Sequence, residues 1–405
     1  MTIANTPAEL LASSISTLAS RYAEKVQAGE NADTEIASIV SACKDLDALV
    51  TPPESWNDRM AMSYTISTAI ALLLNWDVFQ ILAAQAKPTS LETLATSCGC
   101  SKSLLRCALR EAVAHRMLDE LSPETYALNS RSSCLLDENK AAWIHYLTDI
   151  GLVTAAYLPK YVKSINGKIP EHSHRIALQM AFNVDETFYE FLHRKDPKRG
   201  VNFDKAMQRH IKGDAQASIE SVFDFSILRP GAVVVDVGGG KGHHCIRIAK
   251  KHPHLSFIIQ DYEANGPSDG EDTLPEALAR RVRWQRHNFH HKQPMDGADV
   301  YLLSNILMDN TVSDCNRILT NIVDAMVPNH SVLLVDDAID TLSEDSHSAY
   351  SSSMNLHMLS CFGTLFRTQE DWLMLFSEVA GGKLSIVSSW MIDAGRMIFA
   401  LRRKF

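Results

Sequence analysis

The chain has 405 residues, enough for two domains that each bury a core. Its 46% apolar and 21% charged residues are ordinary for a globular protein, and a net charge of −9 opposes binding to nucleic acid. The most apolar stretch, 66–84, is interrupted by Asn75, Asp77 and Gln80, which suits a buried helix rather than a membrane span.

The N-terminus lacks the basic-then-apolar order of a secretory signal. The eight cysteines are scattered, and no His or Cys pair completes Cys98-Gly-Cys100 into a zinc site. A cytoplasmic protein with reduced thiols and no metal is expected.

Residues 1–50 read as helix, with Ile15, Leu18, Ala19, Tyr22 and Val26 at spacings of three and four, and Pro52-Pro53 ends that arm. A second helical region covers 58–85. Thr89 and Glu92 have capping-box spacing before a short helix, Cys98-Gly-Cys-Ser101 breaks it, and Ser101 caps a further helix to Met117. With a strand or wing at Glu124–Asn129, these elements describe a winged-helix module. Lys102, Arg106, Arg110 and Arg116 lie on its second helix. Leu104, Leu105, Ala108, Leu109, Ala112 and Val113 leave them only a narrow polar face, so a dimer contact is expected rather than DNA binding.

Residues 140–212 read as helical again. From Pro230-Gly231 onward, strands alternate with helices: 232–236, 255–260, 300–303 and 332–335, with a helix from His243 to Lys251. Such alternation predicts a parallel sheet covered on both faces. The run Val233-Val-Val-Asp236-Val-Gly238-Gly-Gly240-Lys-Gly242 puts a glycine loop directly after the first strand, where glycine lets backbone approach a ligand. Asp261, 25 residues after Asp236, ends the next strand and suits the two hydroxyls of a ribose. The spacing differs from that of dinucleotide binders, and no lysine–hydroxyl phosphate loop follows. S-adenosylmethionine is the expected cofactor.

The winged-helix segment, the helical linker and the DVGGGKG domain together resemble the plant- and fungal-type small-molecule O-methyltransferases. Further matches are 281–289 (RVRWQRHNF), 298–303, 331–336 and Arg367-Thr-Gln-Glu-Asp-Trp372. The resemblance implies an α/β fold: a Rossmann-like cofactor domain with a mostly parallel sheet, preceded by an α-helical winged-helix dimerisation domain. It divides the chain into 1–135, a linker at 136–215 that contributes to the substrate pocket, and 216–405. It also implies a homodimer. Asp236, Gly238, Gly240 and Asp261 would then hold the cofactor, with Asn288 and Phe289 around the adenine.

The departures lie at the chemistry. The family's general base is a His in a Leu-His-Asp-Trp stretch, whereas this chain reads Leu307-Met308-Asp309-Asn310. A thioether cannot take a proton from a phenol. Phe366 stands where the family often carries an acid, and Asp337 is the candidate for the other flanking acid. A fungal subgroup that resembles these methyltransferases keeps S-adenosylmethionine and performs pericyclic reactions on pyridone alkaloids. It places a cation beside the Asp and brings a His from the linker. His145, Asp309 and Met308 are the corresponding catalytic positions here. Met180, Phe182, Met207, Met354, Met358 and Phe366 are expected to line an apolar pocket.

The expected function is a Diels–Alder or hetero-Diels–Alder cyclisation of a pyridone derived from a polyketide and an amino acid, without methyl transfer. The alternative is a small-molecule O-methyltransferase. The expected partners are a small-molecule substrate and a second copy of the chain, with no nucleic acid and no membrane.

Overall fold

The computed structural model describes residues 6–172, 175–208, 219–262, 274–341, 349–393 and 395–405. The chain divides into two compact units, Met1–Asn129 and Ser130–Phe405. The expected linker 136–215 therefore shares a unit with the sheet, and its part at 209–215 lies outside the described residues.

In the N-terminal unit, the helix expected over 1–50 is two helices, Pro7–Ala28 and Asp33–Val50. Gly29, at φ +70, ends the first in the left-handed conformation that glycine adopts without steric cost. The cap of the helix Leu91–Cys98 is Ser90, whose hydroxyl accepts from the Thr93 N–H at 3.2 Å. Thr89, the expected cap, is instead paired with Tyr126 in a short strand. Ser101 caps Lys102–Ala114 as expected, its hydroxyl 3.3 Å from the Leu104 N–H. Strands β1 (Thr89–Ser90), β2 (Asp119–Ser122) and β3 (Thr125–Ala127) form a small antiparallel sheet in the order β1-β3-β2. Helix, turn, helix and hairpin thus follow in the order of a winged-helix module.

The second unit carries a seven-stranded sheet ordered β6-β5-β4-β7-β8-β10-β9. Its parallel members are β4 (Val233–Val237), β5 (Ser256–Asp261), β6 (Val282–Arg286), β7 (Val300–Ser304) and β8 (Val332–Ala338). The apolar runs of β4, β7 and β8 suit strands covered on both faces, while the edge strand β6 buries only Val282. Cys245, Ile248 and Ala249 cover one face; Ile318, Leu319, Trp372 and Phe376 cover the other. Two further strands, β9 (Leu384–Asp393) and β10 (Arg396–Arg403), close the sheet antiparallel and lie beyond the strands read from the sequence. Strand order turns around at β4, with β5 on one side and β7 on the other, which opens a crevice at the carboxyl ends of the strands.

The helices of 138–207 pack with the helix Ala349–Phe362 around a second apolar cluster that includes Tyr146, Phe188, Phe203, Met358 and Phe362. Two turns in this segment, Leu147–Gly151 and Phe191–Lys195, widen to π-helix.

The segment after β7 is held with unusual thoroughness. Arg367, 8% exposed, donates to the Leu307 carbonyl at 2.8 Å and to the Asn310 carbonyl at 2.7 Å. Its guanidinium also lies 5.0 Å from the centre of the Trp372 ring. From the other side the Asp337 carboxylate accepts the N–H groups of Leu307 at 3.0 Å and Met308 at 3.2 Å. Thr364 donates to the Met308 carbonyl at 2.8 Å. Residues 307–310 are thereby fixed, with Leu307–Asp309 forming one short 3-10 turn after β7.

Lysine at position 367 cannot reproduce two diverging bonds and a flat stacking face. Arg367→Lys should lower unfolding free energy by about 2–4 kcal/mol, since it leaves buried carbonyls unpaired. Denaturant titration checks this, and an unchanged midpoint would contradict it.

Candidate functional site

The glycine loop is built around backbone that only glycine adopts easily. Gly238, Gly240 and Gly242 have φ of +78, +54 and +77. A Cβ on Gly238 would collide with Ile306 and one on Gly242 with Ile259, whereas at Gly240 it would meet open space. Gly238 and Gly239 donate to the Gln260 carbonyl at 2.7 and 3.0 Å, so the loop folds back over the end of β5. There the Asp261 carboxylate accepts the Gly240 N–H at 2.9 Å. An open cradle at Gly240 beside a strand-end carboxylate fits a nucleoside with ribose hydroxyls to donate.

Asp236 plays another part than the glycines. It is buried, lies against Gly239, and accepts from the Cys245 thiol at 3.5 Å. Burial pushes its pKa up to about 7. It supports the loop from beneath. Asn288 borders a cleft of about 540 Å³ together with Tyr262, Arg194 and Arg286. The Asn288 amide oxygen already accepts the His290 N–H at 2.9 Å, leaving it one lone pair for a ligand. The two guanidinium groups lie 4.8 and 5.8 Å from the Tyr262 ring centre. Phe289 is half-buried and comes within 3.7 Å of where a Gly238 Cβ would sit. Across from the loop, Asp204 lies near His193, Lys241 and Asp261, and burial raises its pKa.

The turn 307–309 presents Met308 and Asp309. Met308 is half-buried and packs against the second apolar cluster, as do Met180, Phe182 and Phe366, while Met358 belongs to the cluster itself. Met354 lies on the same helix as Met358, partly buried, and Met207 ends the helix Pro197–Met207 at 38% exposure. Neither of those two joins the cluster. Four of the six residues expected at an apolar wall, and Met308 with them, are therefore gathered at one place.

Asp309 does not meet His145. Its Oδ2 accepts from the Tyr189 phenol at 2.5 Å. Desolvation pushes the Asp309 pKa up to about 7, although the phenol pulls the other way. Tyr189 is held well above the usual phenol range, by burial first and then by the neighbouring carboxylate. His145 is half-buried on the helix Glu138–Tyr146, and its ring has no hydrogen-bond partner among the described residues. Burial lowers its pKa, so it is neutral at pH 7.

Asp337 is not the flanking acid of a catalytic base. It is fully buried, and its carboxylate is taken up by the backbone of Leu307 and Met308. Burial raises its pKa to about 8.

Sequence reasoning missed Tyr189, Tyr146 and His357. Tyr146 and His357 share a hydrogen bond of 2.7 Å between the linker and the helix Ala349–Phe362. The aromatic-rich linker was the available signal, but pairing a phenol with a partner 120 or 211 residues away needs the fold.

An O-methyltransferase domain pattern matches residues 165–381. O-methyltransferase xanE of Aspergillus fumigatus is 34% identical, over 90% of this chain and 84% of its own length. Among solved structures, a pericyclic reaction enzyme superposes with a TM-score of 0.78 at 22% identity, covering 97% of this chain and 100% of that one. OxaC in complex with sinefungin and meleagrin gives 0.81 at 18% identity, covering 98% and 99%. The two structural likenesses concern the fold. Sequence likeness carries more: the chain belongs to the O-methyltransferase family, with S-adenosylmethionine as its cofactor.

Proposed function

We propose that this family member is a pericyclase that cyclises a polyketide–amino acid-derived pyridone by a Diels–Alder or hetero-Diels–Alder step, and transfers no methyl group. The observation that carries the reading is the thioether of Met308. It occupies the place of the family's base and packs into an apolar wall with Met180, Phe182 and Phe366. A cycloaddition needs no base. It needs a folded substrate conformer and a polarised carbonyl, and an apolar enclosure strengthens each polar contact inside it.

In this reading the wall holds the reactive conformer. His145, neutral and without a partner among the described residues, donates to the conjugated carbonyl. Asp309 orients the substrate's polar end. Bound S-adenosylmethionine would contribute the fixed positive charge of its sulfonium. One hydrogen bond that strengthens by ~1.5–3 kcal/mol in the transition state gives about tenfold to a hundredfold in rate.

A second reading is favoured by one observation of its own. A carboxyl held near pKa 7 is a competent general base, so Asp309 would serve an O-methyltransferase in place of the absent His. The relative xanE is named for that activity.

We also propose that two copies pair through the N-terminal unit. Its first helix buries no side chain, and Leu10, Tyr22, Ile36, Val40 and Trp56 stand exposed. Light scattering should give twice the 45.0 kDa chain mass, and the mass of a single chain would contradict it.

Incubation with a pyridone or polyketide–peptide substrate and a deuterium-labelled methyl donor separates the two reactions. A cyclised product carrying no label is expected, and a labelled methyl in the product would overturn the pericyclase reading. His145→Ala should slow turnover about tenfold or more, while Met308→Leu leaves it within about twofold. Equal, negligible effects would remove His145 from the mechanism.

A further inference from the structure

We propose that Tyr189 is the positioning residue of the reaction. Its phenol holds the Asp309 carboxyl in one orientation and tunes it, so that the remaining oxygen, Oδ1, exchanges a proton with a substrate enol, phenol or hydroxypyridone oxygen. The inference concerns how Asp309 is set: under the cyclisation reading the exchanged proton fixes the tautomer of the substrate end that Asp309 orients, and under the methylation reading the same exchange is the base step.

The geometry supports this in three ways. The two side chains come from separate elements, the helix Phe188–Glu190 and the turn Leu307–Asp309, and meet through a 2.5 Å bond. Both ends are fixed. Residues 307–310 are tied by Arg367, Asp337 and Thr364, while Tyr189 is wedged edge-on or tilted against Phe188, Phe203 and Phe362. Finally, Tyr189 keeps 39% of its surface accessible although burial is the leading cause of its raised pKa. That accessible surface leaves the phenol within reach of a ligand. Asp309 has the same character, and its Oδ1 has no partner among the described residues.

The proton step is simple to balance. With Asp309 ionised, the substrate O–H bond breaks, the proton passes to Oδ1 and the electron pair stays on the substrate oxygen. In the reverse sense the protonated carboxyl donates to that oxygen. The other groups that bear on the pair are Asp337 on β8, Cys361 on the helix Ala349–Phe362, and Tyr146 and Asp261, which face Tyr189. The nearby carboxyl is Asp337, pushed up to about 8 by burial first and then by the Asp309 charge.

The sign of the test follows from the bond. A phenol donating to a carboxylate stabilises the charged form, so Tyr189 holds Asp309 lower than burial alone would. In Tyr189→Phe that restraint is gone, and Asp309 should titrate at higher pH. Isotope-edited infrared titration of the cofactor-loaded protein reads this directly, with Asp309→Asn identifying the band. The expected result is an upward move of that titration, together with a fall in turnover of about tenfold to a hundredfold.

An unmoved titration, or a moved one with turnover within about twofold, would overturn the proposal. Should Tyr189→Phe fold poorly, Asp309→Asn reads the pair from the other side. Its pH–rate profile should lose the inflection near neutrality, and a profile like the wild type's would overturn the proposal equally. The mass of the product identifies the reaction separately, so failure here leaves the choice between cyclisation and methylation where it stood.

Discussion

Everything at this site hangs on the restraint of four residues, Leu307 to Asn310. Arg367 takes the carbonyls of Leu307 and Asn310, and Asp337 takes the N–H groups of Leu307 and Met308. Between them these two side chains satisfy four of the eight backbone N–H and C=O groups of the four residues. Both anchoring side chains are themselves buried, so removing either leaves buried backbone groups unpaired. That restraint decides where Met308 and Asp309 point. It also explains why Asp337, an apparent catalytic acid by its place in the chain, is spent on structure.

The consequence is a site whose polarity is sharply divided. On one side are the glycine loop, Asp261 and Asn288, with backbone N–H groups and carboxylates placed for a nucleoside. On the other side the wall is built of thioethers and rings: Met308, Met180, Phe182 and Phe366. Asp309 lies at the seam. Desolvation brings it into the neutral range, and Tyr189 keeps it from going further. A carboxyl in that state can accept or donate a proton near pH 7, which the thioether beside it cannot. In the pericyclase reading that carboxyl holds the substrate's polar end; in the methyltransferase reading it would replace the family's histidine from the neighbouring position.

The fold was legible where the sequence repeats a local signal. Unbroken valine and isoleucine runs marked β4 and β5, the helix His243–Lys251 fell at its expected bounds, and Ser101 capped the helix it was assigned. The cap at Ser90 was misplaced by one residue because Thr89 carries the same chemistry and was free, by sequence alone, to take that role. Strand β9 carries exposed Ile386, Val387 and Met391 beside buried positions, so its pattern is weaker than that of a strand covered on both faces, whereas β10 buries Met397 to Leu401 without a break. At the site, Met308 and Phe366 were visible as departures from a motif, and Asp309 as the acid it keeps. The Tyr189–Asp309 and Tyr146–His357 bonds were not, since they depend on how the linker folds back across the sheet.

The central claim is that the cofactor contributes charge and is not consumed. The most direct measurement is the amount of S-adenosylhomocysteine formed per molecule of product over many turnovers. The account predicts product accumulating with no accompanying S-adenosylhomocysteine. One S-adenosylhomocysteine for each product would contradict it and make the protein a methyltransferase that uses Asp309 as its base.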